Sequence, residues 1–196
     1  MSGYEVPEPI LNSPFEEPRE HWRIAEGELP RREPGRRPAM YYYRPPTTGG
    51  ESDPNGSLGI TVELKLVNRI RERLKEWRGQ GCPGATRTTQ ELLNYWRRDG
   101  RQHRLFFAQL EGAETVVFLT EARTDFLQGI YVPPDEPSED RKAQGYKAFR
   151  RYACKMATGS GKTTVMGMLA AWSILNKVHD RSDGRFSDAY SSSART

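Results

Sequence analysis

Ala157-Thr158-Gly159-Ser160-Gly161-Lys162-Thr163 is the stretch of this chain whose residue types and spacing could do chemistry. Two glycines one residue apart let the backbone turn without Cβ atoms in the way, so successive amide N–H groups can face inward as an anion nest. A helix starting directly after the turn adds the positive end of its dipole. In that position Lys162 would neutralise β- and γ-phosphates and act as the catalytic cation, and the Thr163 hydroxyl would hold Mg²⁺. Thr158, Gly159, Ser160, Gly161 and Thr164 would line the cradle for ATP. The pattern departs from G-x-x-x-x-G-K-[ST] at one place, where Met156 stands for the first Gly. The plainer reading of the same residues is a glycine turn with a helix-capping Thr.

Such a turn needs a strand to deliver it and a helix to follow. Tyr152-Ala153-Cys154-Lys155-Met156 reads as a short strand, and residues from Lys162 to about Lys177 read as a helix. Upstream, Ile60, Leu64, Val67, Ile70, Leu74 and Trp77 recur at helical spacing, with Gly79 and Gly81 as the stop. Thr88 answering Glu91 predicts a capping box that opens a helix carrying Leu92, Leu93 and Trp96. A third helix is expected from about His103 to Ala122, with Leu105, Phe106, Leu110, Ala113, Val117 and Phe118 on or near one face. Val132 to Arg141 is a Pro-rich, acidic loop. The pattern divides the chain into a Pro-rich extended arm over 1–56, a helical segment over 57–125, a loop over 126–145, and a strand, turn and helix over 146–196. The expected class is α/β, the start of a parallel-sheet phosphate-binding domain and incomplete as such.

Composition sets the limits. The 196 residues suit about one domain at roughly 100–200 residues each. An apolar share of 35% and a mean hydropathy of −0.82 imply that part of the chain is poorly packed. Ten of the fourteen prolines precede residue 55, which places that part in the arm. Aromatic islands in the arm, Phe15 to Trp22 and Tyr41-Tyr42-Tyr43, are expected to dock on a neighbouring domain, and Thr47 to Gly56 reads as a linker. No run approaches the eighteen apolar residues of a membrane helix, and the opening residues carry no signal-peptide pattern. Cys82 and Cys154 are too few for a disulfide scaffold, so a reducing cytoplasm is expected. Thirty Lys+Arg against twenty-six Asp+Glu give a net +4, which permits a nucleic-acid partner without arguing for one.

Lys155 through Thr163, with its Ala-led turn, resembles motif I of superfamily 2 helicases, and the wording is similar to the Res (helicase–nuclease) subunits of type III restriction enzymes and to DEAD/DEAH-box proteins. Phe106 through Thr115 resembles the region of that family whose Gln reads adenine. Gln109 would then donate to N7 and accept from the N6 amino group; taken by itself, it is also an ordinary polar residue on an amphipathic helix. Asn12 through Trp22 looks like the leader of some Res-type proteins, with docking as its plain reading. The resemblance implies a RecA-like fold, ATP and Mg²⁺ as cofactors, double-stranded DNA and a methyltransferase modification subunit as partners, and ATP-driven translocation coupled to DNA cleavage. A helicase-like ATPase without a nuclease is the nearer alternative; a non-catalytic nucleotide-binding or DNA-adaptor module is the alternative of another class.

Other candidates carry less. His21, His103 and His179 lack metal spacing and read as solvated. Arg97, Arg98, Arg101 and Arg104 form a basic cluster that reads as a solvated face, with contact to a DNA backbone as the other reading. Asp180, Asp183 and Asp188 follow the last helix, and none ends an apolar strand, so none is the Mg²⁺-holding acid that phosphoryl transfer needs. A chain lacking that acid, the second RecA-like domain and the nuclease is expected to be an N-terminal fragment and inactive alone. After Asp188 a superfamily 2 fold would deliver its next apolar strand, whereas Ala189 to Thr196 is polar. Permitted codons for that tail, read from the third base, encode Val-Leu-Val-Val-Cys-Pro-Asn, a buried strand closed by a Pro turn. The expectation is that Asp188 or Ala189 ends the ancestral frame. Sequencing the gene across this point checks it: helicase motifs should continue in the shifted frame, and codons incompatible with that string would end the idea.

Overall fold

Proline fixes φ and removes a backbone donor, so the first part of the chain builds short ladders in place of helices. The computed structural model describes residues 6–24, 28–43 and 60–188. In it β1 (Glu20–Arg23) pairs antiparallel with β2 (Arg31–Pro34), Trp22 opposite Arg32. Likewise β3 (Met40–Tyr43) pairs antiparallel with β4 (Ile60–Glu63), Tyr41 opposite Val62. The helices are α1 (Lys65–Gly79), α2 (Arg87–Arg97), α3 (Phe107–Glu121), α4 (Glu139–Ala143) and α5 (Lys162–His179). The fold is thus mixed α and β, in two compact units, Met1–Glu72 and Arg73–Thr196, divided within α1.

In the first unit the chain is held by polar side chains. Asn68, in the first turn of α1, accepts from the Ala39 N–H at 2.7 Å and donates to Glu63 Oε1 at 2.8 Å, tying the β3–β4 ribbon to the helix that follows it. The three tyrosines of β3 are each about half exposed.

Several expectations are corrected. Both sheets among the described residues are antiparallel, and no parallel ladder forms. Tyr152–Met156 follows an irregular path, because a parallel strand needs ladder partners at its side and it meets none among the described residues. Ile60–Glu63 is strand β4: the β-branched run Ile60-Thr61-Val62 packs on a ribbon against Tyr41–Tyr43 better than it starts a helix. The cap of α2 is Thr86, two residues before the expected one, with its Oγ1 accepting from the Thr89 N–H at 3.1 Å. The third helix starts at Phe107 because Gln109 Oε1 accepts from the Phe106 N–H at 2.9 Å, satisfying a donor at the helix end. The linker over 47–56 and the tail over 189–196 lie outside the described residues.

The second unit has the core. Leu74 and Trp77 of α1, Leu93 and Trp96 of α2, Val117 and Phe118 of α3, and Val165, Met168 and Trp172 of α5 are all buried. Trp77 meets Phe118 edge-on at 5.6 Å, and Trp172 meets Phe186 edge-on at 5.3 Å. Helix α3 is buried on more than one face, and two glutamates go in with it. Glu121, 3% exposed, accepts from the Thr86 N–H at 2.7 Å, the Thr89 hydroxyl at 2.7 Å and the Trp172 indole at 2.6 Å. Asn176 completes the cluster, donating to Thr89 Oγ1 and accepting from the Thr86 hydroxyl. Glu114, 2% exposed, takes Arg97 at 2.6 Å and Arg78 at 2.5 Å.

Three donors converge on one carboxylate, and each buried donor left unmade costs about 1–3 kcal/mol. Glu121→Ala should therefore lower the stability of this unit by roughly 3 kcal/mol in urea unfolding, with Glu121→Gln less affected. A midpoint shared by Glu121→Ala and the unchanged chain would contradict the network.

Candidate functional site

Helix α5 begins immediately after a turn with two left-handed glycines, Gly159 at φ +77° and Gly161 at φ +83°. Gly161 is the cap residue of α5, and its carbonyl accepts the first two N–H bonds of the helix, from Thr164 at 3.0 Å and Val165 at 3.3 Å. Ser160 closes the turn, its hydroxyl donating to Ala157 O at 2.7 Å and its N–H reaching the same oxygen at 3.3 Å. None of these bonds uses the N–H of Gly159, Gly161, Lys162 or Thr163. The start of an eighteen-residue helix, with its partial positive charge, is thereby set beside an open turn.

Lys162 is exposed and folds back over the turn, its ammonium donating to Ala157 O at 3.0 Å and Met156 O at 3.4 Å. Thr158, Thr163 and Thr164 are exposed on the same segment. Met156, which stands where a first glycine is usual, has a structural use. A Cβ built on Gly112 of α3 would stand 3.7 Å from Met156 Sδ and 3.6 Å from Val165 Cγ1, so the thioether packs on α3 beside α5.

Gln109 is the residue that the fold brings to this turn. It is 7% exposed; its Oε1 holds the Phe106 N–H, and its Nε2 lies where a Cβ on Gly161 would fall. One amide thus joins the start of α3 to the start of α5. Gly161 is fixed twice over, by its left-handed φ and by the lack of room. The sequence placed Gln109 and the turn in separate segments, 57–125 and 146–196, and the packing of α3 on α5 unites them.

The remaining candidates lie elsewhere. Asp180 and Asp183 follow the far end of α5, about 27 Å from its start at 1.5 Å per residue. The Ser182 hydroxyl holds the Asp180 carboxyl below its usual range, and the Arg185 guanidinium does so for Asp183. No cluster of three His, Cys, Asp or Glu suited to a metal occurs among the described residues. His103 and His179 are exposed as expected. His21 is not solvated: its Nδ1 meets Gly35 O at 2.9 Å. Arg97 is drawn out of the expected basic cluster by Glu114, and Arg98 lies over Tyr95 at 3.7 Å. Burial raises the Cys82 thiol against the pull of Arg97, and desolvation raises that of Cys154.

Glu114, Glu121 and Asn176 escaped the sequence reading, although their spacing carries a signal. Glu114 is four residues after Leu110, and Glu121 four after Val117, so both fall on an apolar stripe and must find partners there.

A Cβ at Gly161 collides with the Gln109 amide, while one at Gly159 meets nothing within 4 Å. Both substitutions carry the left-handed penalty of about 1–2 kcal/mol. Gly161→Ala should therefore destabilise more than Gly159→Ala in urea unfolding; the reverse order would contradict the Gln109 contact. No protein-family model, curated protein or solved structure matches the chain.

Proposed function

We propose that the turn over Ala157–Thr163 binds the phosphates of ATP, as the first nucleotide-binding element of an ATP-driven DNA translocase coupled to DNA cleavage, of the Res type. The observation that carries the reading is the turn itself: left-handed Gly159 and Gly161 leave four successive-region N–H groups outside the turn's own bonds, at the head of α5, with Lys162 folded over them. The donor set suits an anion. Nothing in it suits a cation except the Thr163 hydroxyl.

The N–H groups of Gly159, Gly161, Lys162 and Thr163 would hold phosphate oxygens, as helix starts do. Lys162 exchanges two carbonyl partners for phosphate oxygens, a shorter and stronger class of hydrogen bond. Thr163 and Thr164 stand in the first turn of α5, where a hydroxyl can reach a Mg²⁺ that bridges phosphates. When bound, Mg²⁺ supplies neutralisation of the developing phosphate charge. Gln109 would choose adenine by turning its amide from the Phe106 N–H toward the base edge. The RecA-like parallel sheet, the double-stranded DNA, the modification subunit and a cytoplasmic setting belong to the same proposal. No described helix is long and apolar enough to cross a membrane.

The reading of another class, a nucleotide-binding module without turnover, is favoured by one observation: the acids that follow α5 lie at its far end. Lys162→Ala tests the shared part. It should weaken Mg·ATP binding by about tenfold or more in calorimetry, with an unchanged unfolding midpoint, because Lys162 touches only two carbonyls. Equal affinity in the two chains would remove the phosphate assignment. For Gln109, the readout is base preference: Gln109→Ala should narrow the gap between ATP and GTP, and an unchanged ratio would leave Gln109 as the link between α3 and α5 alone.

A further inference from the structure

No residue of 6–24 or 28–43 is buried, yet this segment is fastened by a set of specific polar bonds. Asn12 pins its own loop: Oδ1 accepts from the Arg19 N–H at 2.8 Å and the Glu20 N–H at 3.3 Å, and Nδ2 donates to Glu20 O at 2.9 Å. The Trp22 indole N–H donates to Glu8 O at 2.7 Å, drawing Pro9 beside β1, and the Arg32 guanidinium sits over the ring at 5.6 Å. Gly35, at φ +85°, donates its N–H to Arg19 O at 2.6 Å and offers its carbonyl to His21 Nδ1. That left-handed turn folds Arg36 and Arg37 back toward β1.

A hydrophobic core cannot be the reason for these fastenings, since none forms there. What they enclose is a cavity of about 310 Å³. Pro9, Leu11, Pro18 and Trp22 give it apolar walls, Arg36 and Arg37 give it two guanidiniums, and Glu20 adds one carboxylate. The volume is at the small end of ligand pockets, enough for one ring system and one charged group. Adjacent guanidiniums match a phosphate in geometry as well as charge. Flat apolar walls suit a planar ring, and a carboxylate beside them can accept from an exocyclic amino group.

We propose that this pocket takes one nucleotide unit, with an amino-bearing base against Trp22, Pro9 and Leu11 and its phosphate on Arg36 and Arg37. The site is separate from the Ala157–Thr163 turn and does not rest on the reading given to that turn. Its nucleotide comes from one of two sources, a free mononucleotide or a unit of single-stranded DNA.

The Trp22 indole N–H reports on the pocket and is assigned by its loss in Trp22→Phe. The full chain carrying Lys162→Ala, which removes the turn's phosphate cation, is titrated with AMP, with adenosine and with a short oligo(dA), and the indole is followed by NMR. The Trp22 resonance should move with AMP and oligo(dA). Arg36→Ala/Arg37→Ala should weaken that response about tenfold, and adenosine should bind as weakly to the parent as AMP does to the double variant. Oligo(dA) bound at least tenfold tighter than AMP makes a DNA strand the source; equal affinities make it the free nucleotide. An unmoved Trp22 indole at millimolar AMP and oligo(dA), or a response unchanged in the double variant with its unfolding midpoint intact, overturns the proposal.

Discussion

The Glu121 carboxylate holds the second unit in register. It lies at the end of α3, and its two oxygens take a backbone N–H from the cap of α2, a hydroxyl from inside α2 and an indole N–H from α5. A carboxylate that is 3% exposed would be costly without partners, and with three it becomes directional in a way that apolar packing is not. Apolar contacts such as Val117 and Val165 tolerate sliding along a helix. The bonds to Glu121 do not. The direction of α5, and so the aim of its first turn, depends on them.

From that constraint the turn at the other end of α5 follows. Asn176 and Trp172 lock the C-terminal half of the helix to Thr86, Thr89 and Glu121, while Gln109 locks its start to α3. The two fastenings leave Gly159 to Thr163 projecting from a helix held at both ends. Preorganisation of this kind lets backbone N–H groups act on an anion without first being ordered. Glu114 plays the corresponding part on the opposite stripe of α3, joining Arg78 of α1 to Arg97 of α2. That pairing withdraws Arg97 from the surface, where it had read as one of a basic group.

What was legible in the sequence was local. The glycine pair and Lys162 marked the turn, and 3.6-residue spacing marked α3 and α5, because those signals reside within a dozen residues. Strand β4 was misread since Ile60 also fits the helical period that Leu64 and Val67 continue; only its partner, Tyr41–Tyr43, some twenty residues earlier, decides the matter. The strand before the turn failed for the matching reason, because Tyr152–Met156 has the composition of a strand but no ladder partner among the described residues. Thr88 and Glu91 satisfied the capping pattern, yet Glu121, thirty-five residues from Thr86, fixes where α2 starts. The adjacency of Gln109 and Gly161 is likewise a product of helix packing. The pinned loop at Asn12 depends on hydrogen bonds that composition does not encode.

The central claim is that the head of α5 and the turn before it form an anion site. Backbone amide shifts of the isotopically labelled chain during a Mg·ATP titration test it most directly, since each N–H reports for itself. The account predicts that Gly159, Gly161, Lys162 and Thr163 move together and saturate with one affinity, while Asp180 and Asp183 at the far end of α5 stay still. Amides of the turn that remain fixed at saturating nucleotide, or shifts confined to residues outside 157–164, would contradict it.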